Sequence, residues 1–255
     1  MGRMARGPIA LGLDAAGIDR AGTPRWCGVV LDDDGFVAAG TGTLAELIAW
    51  ADELLPGTRV AKVGVDIPID QVDGPVRTAD LETRAFVKPL GSTVFPTPPA
   101  KAVEASSYAA ANELLVASGM PKISKQAWML VPRMVEATEL ARTDDRLHEV
   151  HPEASFRQMK IELARRADPR AAEEAIRITR SKKTWNGLLE RRGLLAAHGI
   201  DLPDDDPALD GVVSDDVVDA AVVAWSARRI AIGTAVAMPD PPERSAEGRP
   251  IAVWR

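Results

Sequence analysis

Four aspartates stand where carboxylates can do chemistry. Asp14 closes the apolar stretch Ile9-Ala10-Leu11-Gly12-Leu13, and Asp66 closes its near copy Val63-Gly64-Val65. Asp216 and Asp219 lie three residues apart at the head of a long apolar segment, so on a helix they share a face. β-branched and apolar runs that end in an acid read as buried strands, and acids at the carboxyl ends of such strands sit where open α/β sheets place their ligands. If the two strands are neighbours and the helix packs on them, four carboxylates meet. Hard oxygen donors gathered in this way suit Mg²⁺ or Mn²⁺, which can activate water for hydrolysis. Plainer readings exist for each residue taken singly. Asp14 and Asp66 can be turn formers, and Asp215 and Asp216 suit the positive end of a helix. Neither explains Asp219, which lies a full turn inside a helix followed by Ala220 to Trp225.

Further groups could serve such a site. Glu149-Val150-His151-Pro152-Glu153 places an acid two residues before one of only three histidines. Glu149 and His151 are therefore candidates for a further ligand or a proton shuttle. Arg84, Lys182 and Lys183 could hold phosphate oxygens. His148 and His198 read as surface residues, and lone Cys27 beside Trp26 reads as core.

The elements needed to position these groups can be read in order. Strands are expected at 9–14, 26–31 and 36–40, the last two joined by the Asp34-Gly35 turn. Thr43 with Glu46 forms a capping box for a helix carrying Leu44, Leu47, Ile48, Ala51, Leu54 and Leu55. The strand ending at Asp66 follows. The order β-β-β-α-β is an antiparallel meander leading into a crossover. Residues 69–145 read as a helical insertion, with helices at 79–87, 108–117 and 125–141, the last kinked by Pro132. A short fifth strand is expected at 147–151, then helices at 153–166 and 184–198. Ser214 is expected to cap a helix running to about Ala237, and 251–254 reads as a terminal strand. The whole is one α/β domain, 1–255.

The bulk composition sets limits. Of 255 residues, 46% are hydrophobic and 27% charged, in the range of a soluble globular protein. One cysteine cannot make an internal disulfide, which points to a reducing cytoplasm. No apolar run is long enough for a membrane span, and the start, with Arg3 and Arg6, does not read as a signal peptide. The net charge of −6 argues against a generic nucleic-acid coat protein. Charge is nonetheless uneven: 157–192 holds eleven basic residues and five acids, whereas 201–219 holds eight acids and no base.

The meander order, Asp14, Asp66 and the Asp216-Val-Val-Asp219-Ala helix resemble the RNase H-like fold, and within it the RuvC-type resolvase branch. Over almost the full chain a series of motifs resembles the domain-of-unknown-function 429 family, described as predicted RNase H-like nucleases. They are Gly64-Val-Asp-Ile-Pro68, Ser92-Thr-Val-Phe-Pro96, Ser124-x-Gln126-x-Trp128, Glu149-Val-His-Pro-Glu153, Lys182-Lys183-Thr184 with Gly187, and Asp216-x-x-Asp219-Ala220. The resemblance implies an RNase H-like five-stranded mixed sheet flanked by helices, with the insertion between strands 4 and 5. It also implies a Mg²⁺- or Mn²⁺-dependent nuclease in which Asp14, Asp66, Asp216 and Asp219 hold the metal. Asp66 is a shorter arm than the Glu usual at that place in resolvases. The partner expected is DNA or RNA, with a homodimer also allowed for. Two other classes compete. An actin-like ATPase shares the first strands, but Asp14-Ala-Ala-Gly17 lacks the Gly-rich phosphate turn. A non-catalytic RNase H-like scaffold would bind a partner through 69–145. As a nuclease lid, that insertion would use Arg77, Arg84 and Lys88 along one helix side, with Phe95, Tyr108 and Trp128 stacking or packing.

Overall fold

A computed structural model describes residues 7–18 and 21–255. Arg3 and Arg6 lie outside the described residues, as does part of the turn between the first two strands. Five strands form a mixed sheet in the order β3-β2-β1-β4-β5. They are β1 (Ile9–Ile18), β2 (Pro24–Asp32), β3 (Gly35–Gly42), β4 (Val60–Val65) and β5 (Leu147–Glu149). β1, β2 and β3 form the antiparallel meander, and β4 and β5 are added parallel to β1. This is the expected α/β, RNase H-like arrangement. β1 runs four residues further than the apolar pattern suggested, because Ile18 still pairs with Pro24 across a register shift.

Alternation along the strands builds a core on each face. Leu11, Leu13, Val63 and Val65 face α1 (Leu44–Glu53) and the Met134 and Ala137 side of α5 (Lys125–Ala141). The Thr43–Glu46 capping box that starts α1 is present in both directions. Cys27, Val29 and Leu31 face the other way, onto α6 (Pro152–Ala167), α7 (Trp185–Ala197) and α8 (Ser214–Ala231).

α8 crosses β1, β2 and β4, and two glycines let it do so. Gly12 and Gly64 are register partners on β1 and β4. A Cβ on Gly12 would lie 2.1 Å from the Ala220 carbonyl oxygen and from the Ala224 nitrogen. One on Gly64 would lie 2.8 Å from Val223. The glycine pair is a trough into which the helix backbone sinks. α8 begins without a side-chain cap, Val213 rather than Ser214 holding the cap position, and it ends at Ala231 rather than near Ala237. Gly233, at φ 72°, takes the left-handed conformation that turns the chain out of the helix.

The insertion does not fold as a separate body. α2 (Thr78–Phe86) packs with Met238, Ile251 and Val253 of a C-terminal hairpin. That hairpin, β6 (Ala237–Arg244) with β7 (Pro250–Trp254), is a two-stranded sheet. β6 holds Pro239, Pro241 and Pro242 because its pairing is interrupted between Met238 and Glu243, where no ladder donor is needed. α3 (Ala100–Val103) and α4 (Tyr108–Ala117) make a small cluster with Trp128, whose role is packing. Ser124 caps α5 through the Ala127 N–H, and Pro132 lies inside that helix. His148 and His198 are not surface residues. His148 stands edge-on to Trp254, and burial pulls its pKa down to about 4. The His198 side chain is 3% exposed and stacks edge-on against Trp225.

Candidate active site

The two strand-end acids are brought together by register. Gly12 pairs with Gly64 and Leu13 with Val65, and the Asp66 N–H donates to the Leu13 carbonyl at 2.9 Å. The ladder thus carries on by one step and sets Asp66 beside Asp14. Each acid lies two residues beyond its glycine, so it points to the same face, the one α8 covers. Asp219, one residue before the Ala220 that rests on Gly12, is delivered to the same place and is fully buried. The three carboxylates line a cleft of about 460 Å³. Glu149, His151, Asp215, Lys182, Lys183 and Phe95 line it as well, with Met134 and Val253 as apolar wall.

Burial and crowding raise the proton affinity of Asp14, Asp66 and Asp219. Asp14 is pushed well above the ordinary carboxylate range by burial, then by Asp219 and Asp66. Asp66 is raised by burial, offset by His151, Lys182 and a hydrogen bond with Asp14. A bond between two carboxyls requires one of them to carry the proton. Asp219 is pushed up to about 7 by burial, against the opposing pull of Lys182. Its Oδ1 is buried with no hydrogen-bond partner, while its Oδ2 accepts from Lys182. The Lys182 ammonium also lies 3.7 Å from Asp215. Burial works against its charge, but Asp219 and Asp14 outweigh it and raise its pKa.

The donor set fits a hard divalent cation: carboxylate oxygens from separate segments, one of them buried and unsatisfied. Among the described residues, however, no three His, Cys, Asp or Glu side chains stand together as a formed metal-binding group. The cationic centre of the cluster is the Lys182 ammonium.

Lys182 is supplied by a turn fixed from two sides. The Ser181 carbonyl accepts from the Thr184 N–H at 3.0 Å and from its hydroxyl at 2.8 Å, and Thr184 caps α7 through the Gly187 N–H at 3.2 Å. A Cβ on Gly187 would sit 1.9 Å from that Ser181 carbonyl, so the Lys-Lys-Thr…Gly spacing has a steric cause. Fully buried Arg191 donates to the Arg180 carbonyl and to both oxygens of Glu153, the latter at 2.6 Å.

The other expected site residues divide. Glu149 lines the cleft, but its oxygens are taken. Arg77 donates to them at 2.7 and 2.8 Å and the Ile69 N–H at 2.8 Å. It fixes the chain leaving Asp66 rather than standing free as a ligand. Arg77 is 1% exposed and also binds Asp80, which in turn accepts from Thr97. It therefore pins β5, α2 and the 92–97 loop to one point instead of lining a helix side with Arg84 and Lys88. Arg84 is exposed and is not among the cleft-lining residues. Asp216 lies outside the cleft lining and acts on Asp14 only at longer range; its own pKa is pushed up to about 6 by burial and Asp215. Asp215 takes the position beside Lys182 instead. His151 precedes α6, acts electrostatically on Asp66, and has a buried Nδ1 without a partner. Lys183 is exposed at the mouth, and Phe95 is 41% exposed on the wall.

No helix among the described residues is long and apolar enough to cross a membrane. No curated protein and no solved structure matches the chain. The profile described as "Protein of unknown function (DUF429)" matches residues 17–244. With most of its length so matched, from the end of β1 to the end of β6, the chain belongs to the DUF429 family.

Proposed function

We propose that this protein is a divalent-cation-dependent phosphodiesterase acting on nucleic acid, built on an RNase H-like scaffold of the RuvC type. One observation supports this reading above the others. Asp14, Asp66 and Asp219, from three distant segments, share one cleft wall, where burial and mutual repulsion make added positive charge favourable. These three would hold Mg²⁺ or Mn²⁺, with Asp215 and Asp216 adding negative charge from the first turn of α8. When bound, the cation would acidify water and draw charge from the phosphate.

The chain's own groups supply the rest. Lys183, exposed at the mouth, meets a phosphate oxygen as a point charge. Phe95 presents a face on which a base can stack. His151 can take up or release a proton at Nδ1 beside Asp66. The apolar wall of Met134 and Val253 keeps bulk water from the buried side. The test is Asp14→Asn against single-stranded, duplex and branched DNA and RNA, with Mg²⁺ or Mn²⁺. The expected result is a loss of at least about a hundredfold in cation-dependent cleavage. Full cleavage by the variant of every substrate the wild type cuts would end this assignment.

A further inference from the structure

The ammonium of Lys182 stands among the acids of the cleft. It bonds Asp219 Oδ2, lies 3.7 Å from Asp215, and acts on Asp14 and Asp66. We propose that Lys182 is the counter-cation of the acid cluster before metal binding, and that a divalent cation binds by displacing its ammonium toward the cleft mouth. This rests on the cation-dependent reading of the site and adds to it an exchange of one cation for another. It also accounts for carboxylates that surround a common cleft and yet form no ready-made ligand group among the described residues.

The surroundings allow the exchange through one side chain. The backbone leading into Lys182 is held, by Arg191 at the Arg180 carbonyl and by Thr184 at the Ser181 carbonyl, with Gly187 packed close against that turn. The Lys182 side chain itself is 27% exposed, so the stem already reaches solvent. Rotation about its four-carbon stem moves the charge outward while the turn stays in place. Moved to the mouth, the ammonium joins Lys183 on the side from which a phosphate would approach. The same lysine thus neutralises the acids before loading and faces substrate afterwards.

The experiment is calorimetric titration of Mn²⁺ into wild type and Lys182→Met, each with thermal melts in chelator and in Mn²⁺. Removing the competing charge should tighten Mn²⁺ binding about tenfold or more. It should also lower the melting temperature in chelator and enlarge the rise caused by Mn²⁺. Equal or weaker Mn²⁺ binding by the variant, with the wild type binding, overturns the exchange and leaves the cation-dependent reading standing. Absence of Mn²⁺ binding by both proteins overturns both. Should Lys182→Met fail to fold, lysine-ammonium NMR of wild type during Mg²⁺ titration decides. The protected Lys182 signal must move or vanish in step with binding, and an unchanged signal at saturation refutes displacement.

Discussion

Gly12→Ala is the sharpest perturbation available to the scaffold, because one methyl group must open the seat of α8. The new Cβ would lie 2.1 Å from both the Ala220 oxygen and the Ala224 nitrogen, and 2.7 Å from the Ala224 Cα. These are backbone atoms in the middle of a helix and cannot turn aside. The helix must retreat by roughly 1 Å before contact becomes ordinary, in a core packed to crystal-like density. Overpacking of this kind costs about 1–3 kcal/mol, partly offset by the ~0.5–1 kcal/mol usually gained when Gly leaves a strand. For a chain of this size a net loss of ~1–2 kcal/mol lowers Tm by roughly 2–8 °C. Gly40→Ala is the control. Its Cβ would meet the Trp50 ring at 3.5 Å and Leu47 at 3.8 Å, ordinary contacts, so its Tm should match or slightly exceed that of wild type. Differential scanning calorimetry of the three proteins in chelator makes the comparison. Because Asp219 rides on the displaced turn, Mn²⁺ affinity should fall for Gly12→Ala alone. A Gly12→Ala protein as stable as the control, with unchanged Mn²⁺ affinity, would show that the close approach of α8 does not govern the site.

Two further outcomes follow from buried charge. Arg77→Met leaves Glu149 and Asp80 buried without their shared counter-charge, which should lower stability in urea by about 3–5 kcal/mol; a loss below 1 kcal/mol would show that the network is dispensable. Asp219 binds its proton more tightly folded than unfolded, so its contribution to stability is full below pH ~4 and is lost as pH rises through about 7. Burial of His148 works in the opposite direction in part of this window. The readout is therefore the difference between wild type and Asp219→Asn in chelator, which should fall from pH 4 to 7 and flatten when Mn²⁺ is added. A difference independent of pH would refute the assignment.

The frame was legible where the pattern was local. The meander, the Thr43–Glu46 cap and the pairing of two Gly-x-Asp strand ends all appear in short stretches whose neighbours are set by register. The choice of acid on α8 was not legible. Asp215 and Asp216 both satisfy helical spacing to Asp219, and which of them faces the cleft depends on how far α8 sinks into the Gly12–Gly64 trough. The buried role of Arg77, read from sequence as a lid-lining residue, was not legible because its partner Glu149 lies 72 residues away and nothing near either residue marks the pair. Lys182 was identified as a phosphate contact, but its neighbours in sequence are basic while its neighbours in space are acids. β6 was missed because its prolines forbid a central strand and only its edge position permits them.

The β6–β7 hairpin bears on when the cleft can form. Val253 forms part of the cleft wall, and Trp254 bridges to Val150 beside the site. Asp14 and Asp66 leave the ribosome well before Lys182 and Asp219, and β7 follows these. Until α8 emerges, the Gly12–Gly64 trough is an open apolar groove and the two early acids lack their counter-charge. Contacts of such long range form slowly. The cleft therefore takes shape only after α8 and the hairpin have joined the sheet, because its wall is built from residues far apart along the chain.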